Sequence, residues 1–106
     1  MINALSKFQS YTNMNIKSYK VAHILVRAKY EAEDLLLKLN SGSTFEELAK
    51  RFSTCTSAAK SGDLGEIKIG QADMEFEEAT INLKINEITT EPIRTRFGYH
   101  LIKRLG

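Results

Sequence analysis

Two runs of strand-forming residues stand near opposite ends of this chain, Tyr19-Lys-Val-Ala-His-Ile-Leu-Val26 and Tyr99-His-Leu-Ile-Lys-Arg-Leu105. Aromatic and β-branched residues suit a pleated, half-buried surface, so both runs read as strands. Between them the pattern turns helical. From Glu31 onward, Ala32, Leu35, Leu36 and Leu39 recur at three-and-four spacing and lay an apolar stripe along one helix face. Asn40-Ser41-Gly42 ends that helix, with glycine suited to the left-handed turn that often follows. Ser43-Thr44-Phe45-Glu46 predicts a second helix opened by a capping box, in which the Ser43 hydroxyl and the Glu46 carboxylate satisfy unpaired N–H groups. Phe45, Leu48, Ala49 and Phe52 give it an apolar face. Asp73 is placed to cap a third helix through Phe76, Ala79 and Thr80 to Leu83. Short strands are expected at 66–69 and 88–91, and residues 53–65 form a loop with at most one helical turn. Strands at both ends with helices between them predict an α+β domain built on one small, mostly antiparallel sheet.

With 106 residues, 42% hydrophobic and 26% charged, the chain has the material for a single globular core, which argues against a two-domain enzyme and against disorder. The single cysteine, Cys55, cannot form an internal bridge, so a reducing, cytoplasmic setting is expected. No stretch approaches the roughly 20 apolar residues of a membrane helix, and the start of the chain lacks the apolar core of a secretory signal. No membrane partner is expected. Residues 1–18 mix Asn, Ser and Thr with Ile2, Leu5 and Phe8 at spacing three. They read as a flexible or marginally helical tail ahead of a domain at 19–106. The net charge of +2 is uneven, because Lys7, Lys17, Lys20, Arg27 and Lys29 precede the first acid at Glu31. Sparse cations of this kind are read as keeping the tail solvated, so nucleic acid is not an expected partner. A monomer is expected.

Reactive side chains are few: His23, His100, Cys55 and the loop acid Asp63. The two histidines fall in the first and last predicted strands, which are often neighbours in a small sheet. An imidazole in an apolar strand needs a partner for its ring nitrogens. A second neutral histidine can serve, one ring donating and the other accepting. Cys55 near histidines also raises a thiol nucleophile or a metal site with His23 and His100. Spacing names neither an oxyanion loop nor a fourth ligand, and neither reading is preferred. Ser61-Gly62-Asp63-Leu64-Gly65 does not open a helix after a strand, so it is not a dinucleotide cradle. Leu64 and Phe76 read as core, and no cofactor is expected.

Several short segments, taken in order, form a more specific set: Ala22-His23-Ile24-Leu25-Val26, Ser53-Thr54-Cys55-Thr56-Ser57, Gly62-Asp63-Leu64-Gly65, Gly70-Gln71, Phe76-Glu77-Glu78-Ala79 and Phe97-Gly98-Tyr99-His100-Leu101-Ile102-Lys103. The set resembles the parvulin family of peptidyl-prolyl cis-trans isomerases and spans residues 20–106. The resemblance implies a four-stranded antiparallel sheet surrounded by four helices. It implies an enzyme that accelerates rotation about Xaa-Pro bonds, assists protein folding and acts on proline-containing peptides and unfolded or partly folded proteins. By resemblance, His23 and His100 hydrogen-bond to each other at the floor of the site and Cys55 faces the rotating bond. Leu64, Phe76 and position 72 hold the proline ring, and Thr95 and Phe97 lie beside it.

This chain departs from the family at Ala72, where a methionine is usual. The loss of apolar surface predicts a shallower pocket and weaker binding. Met74 should not compensate, since two helical positions rotate a side chain by roughly 200°. A non-catalytic groove for proline-containing segments is the alternative. Phosphate-reading members insert a basic loop after the first strand, whereas here Arg27-Ala28-Lys29 leads almost directly into the helix. No phosphorylation requirement is expected.

Overall fold

The computed structural model describes residues 16–106; the expected marginal helix around Ile2, Leu5 and Phe8 lies outside the described residues. Strand β1 (Ser18–Val26) is central to the sheet. It pairs antiparallel with β2 (Asp63–Lys68) on one side and with β4 (Gly98–Arg104) on the other. A three-residue edge strand, β3 (Ile93–Thr95), completes the order β2-β1-β4-β3 by pairing with β4. The first and last strands are therefore neighbours, as their common composition requires: each is buried and needs a partner on both sides.

Side chains alternate across a strand, and β1 uses both faces. Ala22, Ile24 and Val26 join Leu101 in a core closed by helix α1 (Lys29–Asn40), through Ala32 and Leu35, and helix α2 (Phe45–Phe52), through Phe45, Leu48 and Ala49. Tyr19 and Val21 face the other way and pack with Ile102 against Phe76 and Ile81 of helix α3 (Met74–Ile81). The sheet is thus sandwiched, and the site lies on the α3 side. The fourth helical piece is a 3-10 turn, Thr56–Lys60, inside the expected loop.

Several boundaries differ from expectation for identifiable reasons. Helix α2 is capped by Thr44, whose Oγ1 accepts from the Glu47 N–H at 3.1 Å. Ser43 and Thr44 are comparable caps, and burial of Phe45, 2% exposed, favours the later start. Glu46 accordingly turns outward and pairs with Lys103 at 2.9 Å. Helix α1 starts two residues early because the Glu31 carboxylate reaches back to the Ala28 N–H at 2.9 Å. Asp73 occupies the α3 cap position without a cap bond; its carboxylate instead meets Arg96 at 3.4 Å. Strand β2 begins at Asp63 rather than 66, because β1 offers partners along that whole length.

The strand expected at 88–91 is a single bridge from Ile88 to Lys103. Thr89 takes over the hydrogen bonding there: its N–H donates to Ile102 O and its Oγ1 accepts from the Ile102 N–H. Pro92 cannot donate to a ladder, and pairing resumes only at Ile93.

One close approach joins the loop to the site strand. The His23 N–H donates to Gly62 O at 2.9 Å, where β1 shifts register against β2 next to Ala22. Gly62 has φ +85°, and a Cβ there would stand 2.4 Å from His23 O and 3.1 Å from Ala49 Cβ. Backbone strain and steric overlap therefore act together. Gly62→Ala should lower stability by about 2 kcal/mol or more, and a urea melt matching the parent would show that the approach is dispensable.

Candidate active site

The site begins with register. His100 on β4 lies opposite Leu25, and His23 lies opposite Ile102. The two histidines are therefore diagonal neighbours on one sheet face, a geometry that brings long side chains into contact. Their Nδ1 atoms are 2.9 Å apart, and the rings meet edge to edge, with planes 25° apart and centroids at 5.1 Å. His100 Nε2 lies 2.6 Å from Thr95 Oγ1, and the Phe97 N–H donates to that same oxygen at 3.2 Å.

Two proton orders satisfy these distances: Thr95 Oγ1 donates to His100 Nε2 and His100 Nδ1–H to His23 Nδ1, or His100 Nε2–H donates to Thr95 Oγ1 and His23 Nδ1–H to His100 Nδ1. In either order His23 Nε2 is buried and makes no hydrogen bond within the described residues. The Phe76 ring stands almost perpendicular to both imidazoles, at 5.7 Å from His23 and 5.2 Å from His100.

Charge is excluded from this cluster. The pKa of His23 is lowered to about 4, first by burial and then by repulsion from His100. That of His100 is also lowered to about 4 by burial, although the nearby Asp73 carboxylate opposes the shift. At neutral pH both rings are neutral, so the floor presents dipoles and lone pairs.

A cavity of about 220 Å³ opens above these groups, lined by apolar Leu64, Ile67, Ala72, Phe76 and Phe97 and by polar Gln71, Asp73, Thr95 and Arg96 together with the two histidines. Seven of the eight residues that the resemblance assigns to the site thus meet at one cavity, whereas the loop acid Asp63 lies outside it and accepts from the Gly65 N–H. Ala72 and Phe76 border it together, and Met74 is 75% exposed and does not line it.

Cys55 is the exception, since it does not line the cavity. It stands partly exposed at the start of the 3-10 turn. Its segment is nevertheless held to β1: the Leu25 N–H donates to Ser53 Oγ and the Thr54 N–H to Leu25 O. Partial burial raises the thiol pKa, but hydrogen bonding from the hydroxyl and N–H groups of Ser57 and Thr56 outweighs it and leaves the thiol below its usual range.

Ile67, Gln71, Asp73 and Arg96 were not picked out as cavity residues by sequence reasoning. Arg96 sits between Thr95 and Phe97 and could have been suspected from that adjacency. The Asp73–Arg96 contact joins a helix start to a strand turn and has no signature in spacing.

The β2-β1-β4-β3 sheet and the cavity over the two histidines agree with the fold that the ordered segments imply. A family model described as "Rotamase: PPIC-type PPIASE domain" matches residues 15–105, and the chain belongs to this PpiC-type, parvulin-like family of peptidyl-prolyl isomerases. It is 43% identical over 102 residues to the foldase protein PrsA of Bacillus subtilis, covering 88% of this chain and 35% of that protein. It is 44% identical over 90 residues to a parvulin-like PPIase of Rickettsia conorii, covering 81% and 32%. Among solved structures, the peptidylprolyl isomerase PrsA of Bacillus anthracis superposes with a TM-score of 0.82 at 38% identity, over 98% of this chain and 46% of that one. NmPin, the parvulin of Nitrosopumilus maritimus, gives 0.73 at 43% identity, over 85% of this chain and 97% of that one. The chain spans about a third of the length of the curated relatives it matches.

The histidine pKa values carry a stability consequence. Between pH 6.5 and about 4 the unfolded chain binds protons at these rings and the folded chain does not, so stability falls as pH drops through that window. Urea midpoints should decline from pH 6.5 to pH 4, while the histidine ring carbon resonances of the folded protein stay at neutral-form values down to about pH 5. Ring resonances titrating near pH 6.5 in the folded protein would contradict this.

Proposed function

We propose that this domain accelerates cis-trans rotation about Xaa-Pro peptide bonds in unphosphorylated, partly folded proteins and so assists their folding. The observation that carries the reading is the cavity of about 220 Å³, with Leu64, Ala72, Phe76 and Phe97 on its walls above a floor of neutral, mutually hydrogen-bonded histidines.

The chemistry asked of such a site is modest. Rotation about an amide meets a barrier of about 18–20 kcal/mol because conjugation is lost at the twisted geometry, and no bond to a heavy atom has to break. A catalyst need only bind the twisted amide more tightly than either planar isomer. Leu64, Phe76 and Phe97 hold the ring and fix one side of the bond. The imidazoles and the Thr95 hydroxyl offer fixed dipoles to the turning amide without the reorganisation that water requires. Each 1.36 kcal/mol of such differential binding is about tenfold in rate.

Cys55 contributes from the edge of the site, as a polar group beside the substrate carbonyl. Its exposure and its place outside the cavity lining do not favour a covalent nucleophile. Preference for unphosphorylated substrates is supported by the short passage from Val26 to α1, which carries Arg27 as its one cation before Lys29 opens the helix.

Ala72 favours a second reading, a groove that holds proline-containing segments without catalysis, because its short side chain leaves the ring less contact than methionine would. NMR exchange spectroscopy on an unphosphorylated Ala-Pro peptide separates the two. Cis-trans cross-peaks appearing only with a small fraction of protein are expected, whereas peptide-induced shifts without exchange would establish the groove alone. Ala72→Met adds apolar wall worth up to about 2 kcal/mol and should lower the peptide Kd several-fold; an unchanged Kd would show that position 72 does not touch the ring. Cys55→Asp should retain measurable exchange activity, and its complete loss would revive a covalent role.

A further inference from the structure

We propose that Glu77, which does not line the cavity, is a positioning residue for it: its buried carboxylate fixes the turn that forms one cavity wall to the strand that carries His23. The inference rests on the isomerase reading and adds to it the device that holds the proline wall in place.

Glu77 is 7% exposed, which is unusual for a carboxylate, and a buried charge has to be satisfied by hydrogen bonds. Its Oε1 accepts from the Tyr19 hydroxyl at 3.0 Å and from the Gly70 N–H at 3.0 Å, and Oε2 lies 3.3 Å from the same N–H. Tyr19, 1% exposed, is on β1 four residues before His23 and faces the same side of the sheet. Gly70, at φ +90°, opens the turn between β2 and α3, and the next three residues, Gln71, Ala72 and Asp73, all line the cavity. Glu77 itself follows Phe76, the aromatic wall, on α3. One carboxylate thus joins strand, turn and helix at the places where each meets the site.

The other bonds of the turn do less to locate it. The Gln71 N–H to Lys68 O and the Lys68 N–H to Gln71 Oε1 close the turn upon itself. The Ile69 N–H to Lys17 O anchors its entry. At its exit, Asp73 meets Arg96, whose side chain is 76% exposed, and exposed pairs of this kind contribute little. Between entry and exit, the carboxylate of Glu77 sets the distance between Ala72 and the histidine floor.

Loosening this brace weakens the hold on the proline ring while leaving the floor intact, so it acts on KM more than on kcat. Glu77→Asp keeps the carboxyl group but shortens the reach by one methylene. It should raise KM for an Ala-Pro peptide about tenfold, as expected for one lost buried hydrogen bond, with kcat within about twofold. Glu77→Gln keeps the oxygen that accepts both 3.0 Å bonds and gives up the 3.3 Å contact at Oε2, so it should be impaired less than Glu77→Asp. Hydrogen exchange gives a readout independent of catalysis: the Gly70 amide should be protected in the parent and in Glu77→Gln, and exchange faster in Glu77→Asp.

The proposal is overturned by an unchanged KM and Gly70 protection in Glu77→Asp, by equal impairment of the Asp and Gln variants, or by a Gly70 amide that exchanges freely in the parent. Should the parent protein fail to catalyse exchange, the isomerase reading falls. The brace is then still decided by Gly70 protection and by peptide Kd from NMR titration in the same three proteins.

Discussion

The hydrogen bond between His23 and His100 Nδ1 is the constraint around which the rest of this molecule is arranged. Two polar rings, 5% and 4% exposed, can be buried in a small core only if each supplies what the other lacks. That requirement fixes β1 and β4 as neighbours and fixes their register, because a shift of one residue would turn one ring to the opposite sheet face. Thr95 extends the chain of bonds to β3, and the Phe97 N–H ends it in the following turn. The short edge strand is thereby drawn into the site despite contributing only three residues to the sheet.

The two faces of the sheet divide the work. The face covered by α1 and α2 is apolar at its centre and holds the larger cluster of buried hydrophobic residues, whose removal from water favours folding. The α3 face is smaller and admits His23, Thr95, His100 and Glu77 beside Tyr19, Val21 and Phe76. Polar groups are tolerated there because they are bonded to one another or, as at the imidazoles, held neutral by burial. A site with this composition is suited to a reaction that moves no charge far and needs an apolar ring held still. Stability and function are therefore coupled through the imidazoles but largely separated across the sheet.

Much of this was legible in the residues. The strands at 19–26 and 99–105, the apolar stripes of the first two helices and the pairing of two neutral histidines follow from periodicity and from the hydrogen-bonding needs of imidazole. The ordered family segments supplied Leu64, Ala72, Phe76, Thr95 and Phe97, which periodicity alone would have left as core or loop. Where expectation and structure part, a long-range contact outweighed a local signal. Ser43 lost the cap to Thr44 with Phe45 buried behind it, and Glu46 turned from the cap to Lys103. Thr89 used its side chain where a ladder had been expected. Cys55 lies outside the cavity because its loop is fixed by Leu25 backbone bonds that no local pattern announces.

The sequence by itself determined the periodicities, the positions of the helices and the chemical kinds of group available, because these depend on neighbours within a few residues. It also carried, in the order of its short segments, the membership of a family. Only the tertiary structure decided that Glu77 reaches Tyr19 and Gly70, that Asp73 meets Arg96 and that Gly62 lies against the backbone of His23. Each of these joins residues whose meeting depends on strand register and on the way α3 settles on the sheet, and those are outcomes of packing the whole chain at once.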